Sequence, residues 1–201
     1  MRLGCKICET HTCRCGKIVG EDGTHGLSCK RSAGRFNRHV QLNDLVRRTL
    51  SSANVPAVLE PPGLSREDNK RPDGLTLGPW NRGKSQVWDV TVIDSLARSR
   101  LERDVNSLEE AEKKKTRKYN SIIERGYIFQ PVAFDTQGNC GPETETFLNE
   151  LGSRLRVATF EDRSSVFLRQ RISVIIQQYN FACVSGTLSE GVCLEDVFSL
   201  I

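Results

Sequence analysis

Residues 71–94, RPDGLTLGPWNRGKSQVWDVTVID, read as two apolar strands joined by the loop GPWNRGKS. Each carries an aspartate where a neutral or apolar residue is expected: Asp73 just before Leu75 and Leu77, Asp89 between Trp88 and Val90. Aspartate is depleted in strands, and an unpaired carboxylate in an apolar layer is strongly unfavourable. Each acid must therefore mark a strand's wet end or meet a cation or a metal. A strand end accounts for either acid alone; it is a poorer account of both.

A cation is on offer further along. Residues 98–125 read as a charged amphipathic helix. Leu101, Val105, Leu108, Ala111, Tyr119 and Ile122 form one continuous stripe with Lys115 in its middle. Glu112 and Lys118 flank that stripe, and Lys113 and Lys114 point away from it. A lysine on a buried face either snorkels to water or meets an anion, and here the neighbouring strands supply Asp73 and Asp89. Two carboxylates and an ammonium gathered at a sheet edge suit phosphodiester hydrolysis. Carboxylate oxygens bind Mg²⁺ or Mn²⁺, which polarises phosphate and acidifies a bound water, while the ammonium orients that water or balances transition-state charge. Tyr119, one turn after Lys115, is placed either to hydrogen-bond a phosphate or to fill core.

The surrounding order is that of an α/β protein. Residues 35–53 place Leu42, Leu45, Val46, Thr49 and Ala53 on one helical face, with Arg47 and Arg48 outside it and His39 and Asn43 one turn apart on its flank. PAVLEP is a short strand, followed by the two strands above, the charged helix, the strand YIFQPVAFDTQG and two further helices, ETETFLNELGSRL and VFLRQRISVIIQQYNFACV. Arg38 and His39 can contact phosphate or support the metal site from the first helix; a partly buried helical histidine is an equal reading. Glu60 is either a third carboxylate or a solvated strand end. Asp94, five residues from Asp89, falls on the opposite strand face and is a poor partner for it.

Residues 1–34 differ from the rest, and we divide the chain there into a small module and a domain spanning 35–201. Five of the eight cysteines (Cys5, Cys8, Cys13, Cys15 and Cys29) lie in this stretch, with His11 and His25. So short a segment, without helical period, needs a metal to hold it. Cys13-x-Cys15, then nine residues, His25, three residues and Cys29 make a four-ligand set of the mixed kind that structural zinc prefers. Cys5-x-x-Cys8 is an alternative that could replace either early pair or join His11 in a second site. Cys140, Cys183 and Cys193 are scattered and read as small buried hydrophobes.

Net charge is +4, unevenly spread: residues 1–50 hold ten Lys and Arg against four acids, whereas 126–201 hold five Arg against nine acids. A basic leading segment is a footprint for nucleic acid, although a solvated face looks the same. No apolar run approaches the roughly eighteen residues of a membrane span, and the N-terminal residues lack a signal-peptide core, so the expectation is a soluble intracellular protein with no membrane partner.

The sequence resembles the PD-(D/E)XK nucleases, with Pro72-Asp73 as the PD strand and WDVTV as the second motif strand, Asp89 being its acid. More closely, the run RPD, WDVTV and AEKKKTRKY is similar to the restriction-enzyme-like endonuclease of site-specific non-LTR retrotransposons, in which a Cys/His knuckle precedes the core. CRCGKIVGEDGTHGLSC and GRFNRH are similar to that knuckle and to the segment after it, and the likeness covers roughly residues 13–135. It implies a restriction-endonuclease-like core of helix, three strands, helix and strand, with Asp73 and Asp89 binding Mg²⁺ or Mn²⁺ and Lys115, Lys118 and Tyr119 completing the catalytic set. One departure stands out: the lysine expected two residues after Asp89 is Thr91, and in the retrotransposon group that lysine is thought to have moved onto the following helix, where Lys115 lies. The implied task is nicking target DNA, in the nucleus, so that the freed 3′ hydroxyl primes reverse transcription, with RNA or a reverse transcriptase domain as further partners. The alternative is a non-catalytic zinc-containing nucleic-acid-binding protein on a degenerate nuclease scaffold.

Overall fold

The computed structural model describes residues 6–64, 71–95 and 107–188. Among them the chain forms a mixed α/β structure with a four-stranded sheet and six helices. A two-residue hairpin, β1 (His11–Thr12) and β2 (Ile18–Val19), leads into the single turn α1 (His25–Ser28) and the long helix α2 (Ala33–Ser52). Strands β3 (Ala57–Leu59), β4 (Gly74–Thr76) and β5 (Gln86–Ile93) follow, then helices α3 (Ser107–Lys118) and α4 (Asn120–Glu124), strand β6 (Ile128–Asp135), and helices α5 (Pro142–Thr159) and α6 (Ser164–Ser185). The sheet runs in that strand order, with β3, β4 and β5 antiparallel and β5 parallel to β6. The parallel step needs a long crossover, and it is the crossover that carries α3 and α4.

Strand β5 is buried on both faces and sorts its side chains by parity. Trp88 and Val90 enter the main core with Leu42, Leu45 and Val46 of α2, Val132 and Phe134 of β6, Phe147 and Leu151 of α5, and Ile172 and Ile176 of α6. Val87 points to the opposite face, into a smaller cluster with Leu64, Tyr119 and Ile122. Asp89 shares the parity of Val87 and so faces the crossover helices. The GPWNRGKS loop contributes Trp80, whose ring lies 5.7 Å from that of Phe147 and beneath the Arg154 guanidinium.

Gly74 explains part of the RPDG sequence. It stands opposite Trp88 in the β4–β5 register, and a Cβ there would fall 2.0 Å from the Trp88 ring. Only glycine lets the indole lie across the neighbouring strand, and the indole Nε1–H then donates to Asn43 Oδ1 at 3.0 Å, fixing α2 against the sheet.

Of the stripe expected on the charged helix, Leu101 and Val105 lie outside the described residues, and the described part departs from one continuous helix at a single point. There α3 stops at Lys118, and Tyr119 takes φ −109° and ψ 22° before α4 begins. This break places the Tyr119 ring 4.8 Å from Phe129 and its hydroxyl on the sheet. Glu112 is also a correction: expected on the flank, it is fully buried. Its carboxylate accepts from the Glu143 and Thr144 amides at 3.2 and 2.8 Å and from the Thr144 hydroxyl at 2.6 Å. It thus caps the N-terminus of α5 from another helix, where free N–H groups and the helix dipole favour an anion. Gly141 leaves room for it, since a Cβ there would meet the carboxyl group at 2.3 Å.

Removing Glu112 strands buried donors at the start of α5. Glu112→Ala is expected to lower unfolding free energy by about 2–4 kcal/mol, read as a shift of the urea midpoint, whereas exposed Lys113→Ala should move it little. A Glu112→Ala midpoint equal to wild type would refute the cap.

Candidate functional site

The N-terminal hairpin gathers four metal-ligating side chains. Its turn is closed by Cys13 N–H to Lys17 O at 2.9 Å and Gly16 N–H to Cys13 O at 2.8 Å, with Gly16 at φ +85°. That bend presents Cys13 and Cys15 side by side, and α1 brings His25 in its first position and Cys29 immediately after its end. The four ligand atoms lie within 4.8 Å of one another. Cys13 Sγ is 3.8 Å from Cys29 Sγ, and Cys15 Sγ is 3.3 Å from His25 Nε2. A tetrahedral zinc site with Zn–S of about 2.3 Å and Zn–N of about 2.0 Å requires S···S and S···N separations of about 3.8 and 3.5 Å. The spacing and the Cys₃His donor set therefore fit a metal such as zinc, on which four protein ligands would leave no open position.

Of the other candidate ligands, those among the described residues have contacts of their own, and Cys8 packs against the Cys13 and Cys29 cluster. Cys8 Sγ contacts Gly20 O at 3.4 Å, and His11 is engaged through Nδ1 with Glu9 O at 2.8 Å and through Nε2 with Thr187 Oγ1 at 3.0 Å. Cys5 lies outside the described residues, as does Cys193. Cys183 is fully buried, as expected, and packs with Leu27 and Val184. Cys140 instead sits half-buried beside Glu145, and burial followed by that carboxylate pushes its thiol up to about 12.

The second cluster is the acid pair. Gly74 pairs with Trp88 and Leu75 with Val87, so continuing the register by one residue sets Asp73 alongside Asp89. Asp73 precedes β4 rather than lying within it, its amide still donating to Trp88 O at 3.1 Å. Its Oδ2 accepts from the Val90 amide at 2.6 Å and lies 3.0 Å from His39 Nε2. Burial would raise the Asp73 carboxyl, but the His39 imidazole, the Val90 N–H and the Asn43 side chain outweigh it and hold it below the usual carboxylate range. The same hydrogen bond to Asp73 raises the His39 imidazole against its own desolvation.

Asp89 is 4% exposed, and both its oxygens are engaged. Lys115 Nζ forms an ion pair with Oδ2, and the Tyr119 hydroxyl donates to Oδ1 at 2.7 Å. Lys118 Nζ lies 3.2 Å from the same hydroxyl and 4.7 Å from the ring centroid. Asp73, Asp89, Lys115, Lys118, Tyr119 and His39 together line one open cleft of about 380 Å³. Glu60 stands exposed at its rim with φ +46°, its amide donating to Asp73 O at 2.9 Å.

The structure thus brings together Asp73, Asp89, Lys115, Lys118 and Tyr119, and sets His39, which the sequence offered as a phosphate contact or a support of the metal site, against Asp73. Arg38 is placed differently: it is 2% exposed, with Nη1 donating to Asn180 Oδ1, and it lines an adjoining cleft. Two contributors escaped the sequence. Asn43 links Trp88 to the His39 backbone carbonyl, which its Nδ2 reaches at 3.2 Å. Glu112 anchors α3, and the signal was present, since 108, 112, 115 and 119 share one helical stripe.

Purified protein is expected to carry one zinc per chain by elemental analysis. Cys29→Ser should lose it and Cys8→Ser keep it; the reverse pattern would exclude this quartet. The His39 shift has a pH consequence. A pKa raised on folding contributes stability that is complete below the unfolded value of about 6.5 and lost as pH rises through the folded one. The melting temperature of wild type relative to His39→Gln should therefore shrink between about pH 6 and pH 8; a growing difference would contradict the Asp73 contact.

The sequence matches no protein-family model and no curated protein, which leaves the chemistry of these side chains as the guide to function.

Proposed function

We propose that the protein is a metal-dependent DNA endonuclease of the PD-(D/E)XK kind, with Asp73, Asp89 and Lys115 as its catalytic set. The observation that carries this reading is the Lys115–Asp89 ion pair, formed beside Asp73 on an open cleft. A lysine from the crossover helix there reaches the acid whose own strand carries Thr91 where the motif has lysine. The order α2, β3, β4, β5, α3, β6 supports the same assignment.

Mg²⁺ or Mn²⁺ held by Asp73 and Asp89 would polarise the phosphate and make a bound water more acidic. The protein's own groups do the remaining work. Each carboxylate oxygen can accept more than one contact, so the bonds from His39, Val90, Tyr119 and Lys115 orient the acids without exhausting them. Lys115 offers three N–H donors; one is used on Asp89, leaving others for the attacking water or a phosphate oxygen as negative charge builds. Tyr119 holds that arrangement through its hydroxyl, and Lys118 beside it adds positive potential in the cleft. Hydrolysis joins the water oxygen to phosphorus, breaks the bond to the 3′ oxygen and leaves the water's proton there, giving a 3′ hydroxyl. A 3′ hydroxyl suits priming of reverse transcription, the role we propose, with nuclear DNA as target and RNA or a reverse transcriptase domain as further partners.

Wild type is expected to nick supercoiled plasmid with Mg²⁺ or Mn²⁺. Asp73→Asn and Asp89→Asn should each lower the rate at least about 100-fold while keeping DNA affinity, Lys115→Met should lower the rate as much, and Lys114→Met, on the outward face, should not. Equal nicking by Asp89→Asn, or none by wild type at permissive salt, would sink the reading and favour a non-catalytic nucleic-acid-binding protein.

A further inference from the structure

A second cleft, of about 390 Å³, adjoins the acid cleft and shares His39 and Lys115 with it. It lies where the end of the metal-binding module, the first turns of α2 and strand β5 meet. Its lining is cationic: Lys30 comes from the module and Arg35 and Arg38 from α2, and no acidic side chain among the described residues lines it. Two features point to a ligand. Phe36 lines this cleft yet is 70% exposed. Arg38 is 2% exposed, its Nη1 donates to the neutral Asn180, the charge of Asp94 acts on it from a distance, and its Nε has no hydrogen-bond partner among the described residues. A buried guanidinium N–H without a partner is unfavourable, and the positive charge so close to the cleft favours an anion there.

We propose that this cleft holds an unpaired nucleotide next to the scissile phosphate, with its base stacked on Phe36 and its phosphate drawn to Lys30, Arg35 and Arg38. A flat aromatic face beside a cationic track is the general chemistry of single-strand binding, and it tolerates any sequence because every base has a π-face. A base inside a duplex is stacked on its neighbours and presents no face to Phe36, so the site selects single-stranded or locally opened DNA over fully paired DNA. The inference takes the identity of the neighbouring phosphate from the endonuclease reading, but binding of the strand does not require cleavage.

The test is equilibrium binding of a fluorescent single-stranded DNA 12-mer and its matched duplex, by anisotropy, at fixed salt without added divalent metal. Wild type is expected to favour the single strand. Phe36→Ala should reduce the ratio of single-strand to duplex affinity by roughly 5- to 100-fold and Phe36→Trp should restore it. Lys30→Gln should flatten the slope of log affinity against log salt by about 0.7 for the single strand. No preference in wild type, an unchanged ratio in Phe36→Ala, or an unchanged slope in Lys30→Gln overturns the proposal. Plasmid nicking on the same preparations separates the two ideas: a wild type that favours single strands and never nicks leaves this proposal standing and removes the nuclease reading.

Discussion

The pairing of Lys115 with Asp89 is the constraint around which the rest is arranged. A carboxylate 4% exposed in the central strand of the sheet would be untenable alone. It is accommodated because α3 lays a lysine against it and because the helix breaks at Tyr119, turning a hydroxyl onto the other oxygen. Neither contact is a strong source of stability, since bringing an ammonium and a carboxylate out of water offsets much of their attraction. Their effect is orientation: the acid is held in one rotamer at the edge of a solvent-open cleft.

Orientation of this kind needs rigid supports on both faces of the sheet. On one face the Trp88 indole lies over Gly74 and donates to Asn43, so that α2 is seated where His39 can reach Asp73. On the other, Glu112 ties α3 to the first turn of α5. The crossover helix that delivers Lys115 is thus anchored three residues away by a buried carboxylate. Asp89 in β5 and Asp73 just ahead of β4 are each met by a base from a different helix, so the arrangement ties both helices to the sheet.

The N-terminal segment with the Cys₃His cluster, which could hold a metal such as zinc, extends the same surface. Its ligands are set by a tight hairpin and one helical turn. Gly26 and Gly34 pack so closely on α6 that a Cβ at either would fall 2.6 or 2.7 Å from the backbone at Cys183. Lys30 and Arg35 consequently stand beside the acid cleft, and the basic charge of the first fifty residues becomes a located feature.

From residue 35 onward the sequence by itself determined the order of strands and helices, apart from the break at Tyr119, and throughout it determined the chemistry on offer. The parity of β5, the helical face of α2 and the misplaced charges Asp73, Asp89 and Lys115 are local patterns with periods of two or 3.6 residues, the Cys₃His set is a local spacing of ligands, and the structure reproduces them. What only the tertiary structure decided is which groups meet. That His39 belongs to Asp73, that Tyr119 leaves its helix to reach Asp89, that Glu112 caps a helix some thirty residues further along, and that Phe36 stands at a cationic cleft with Arg38 beneath it are contacts between distant segments. Periodicity specifies the face a side chain occupies; only packing specifies the partner across from it, because the partner is fixed by strand register and helix seating rather than by spacing along the chain.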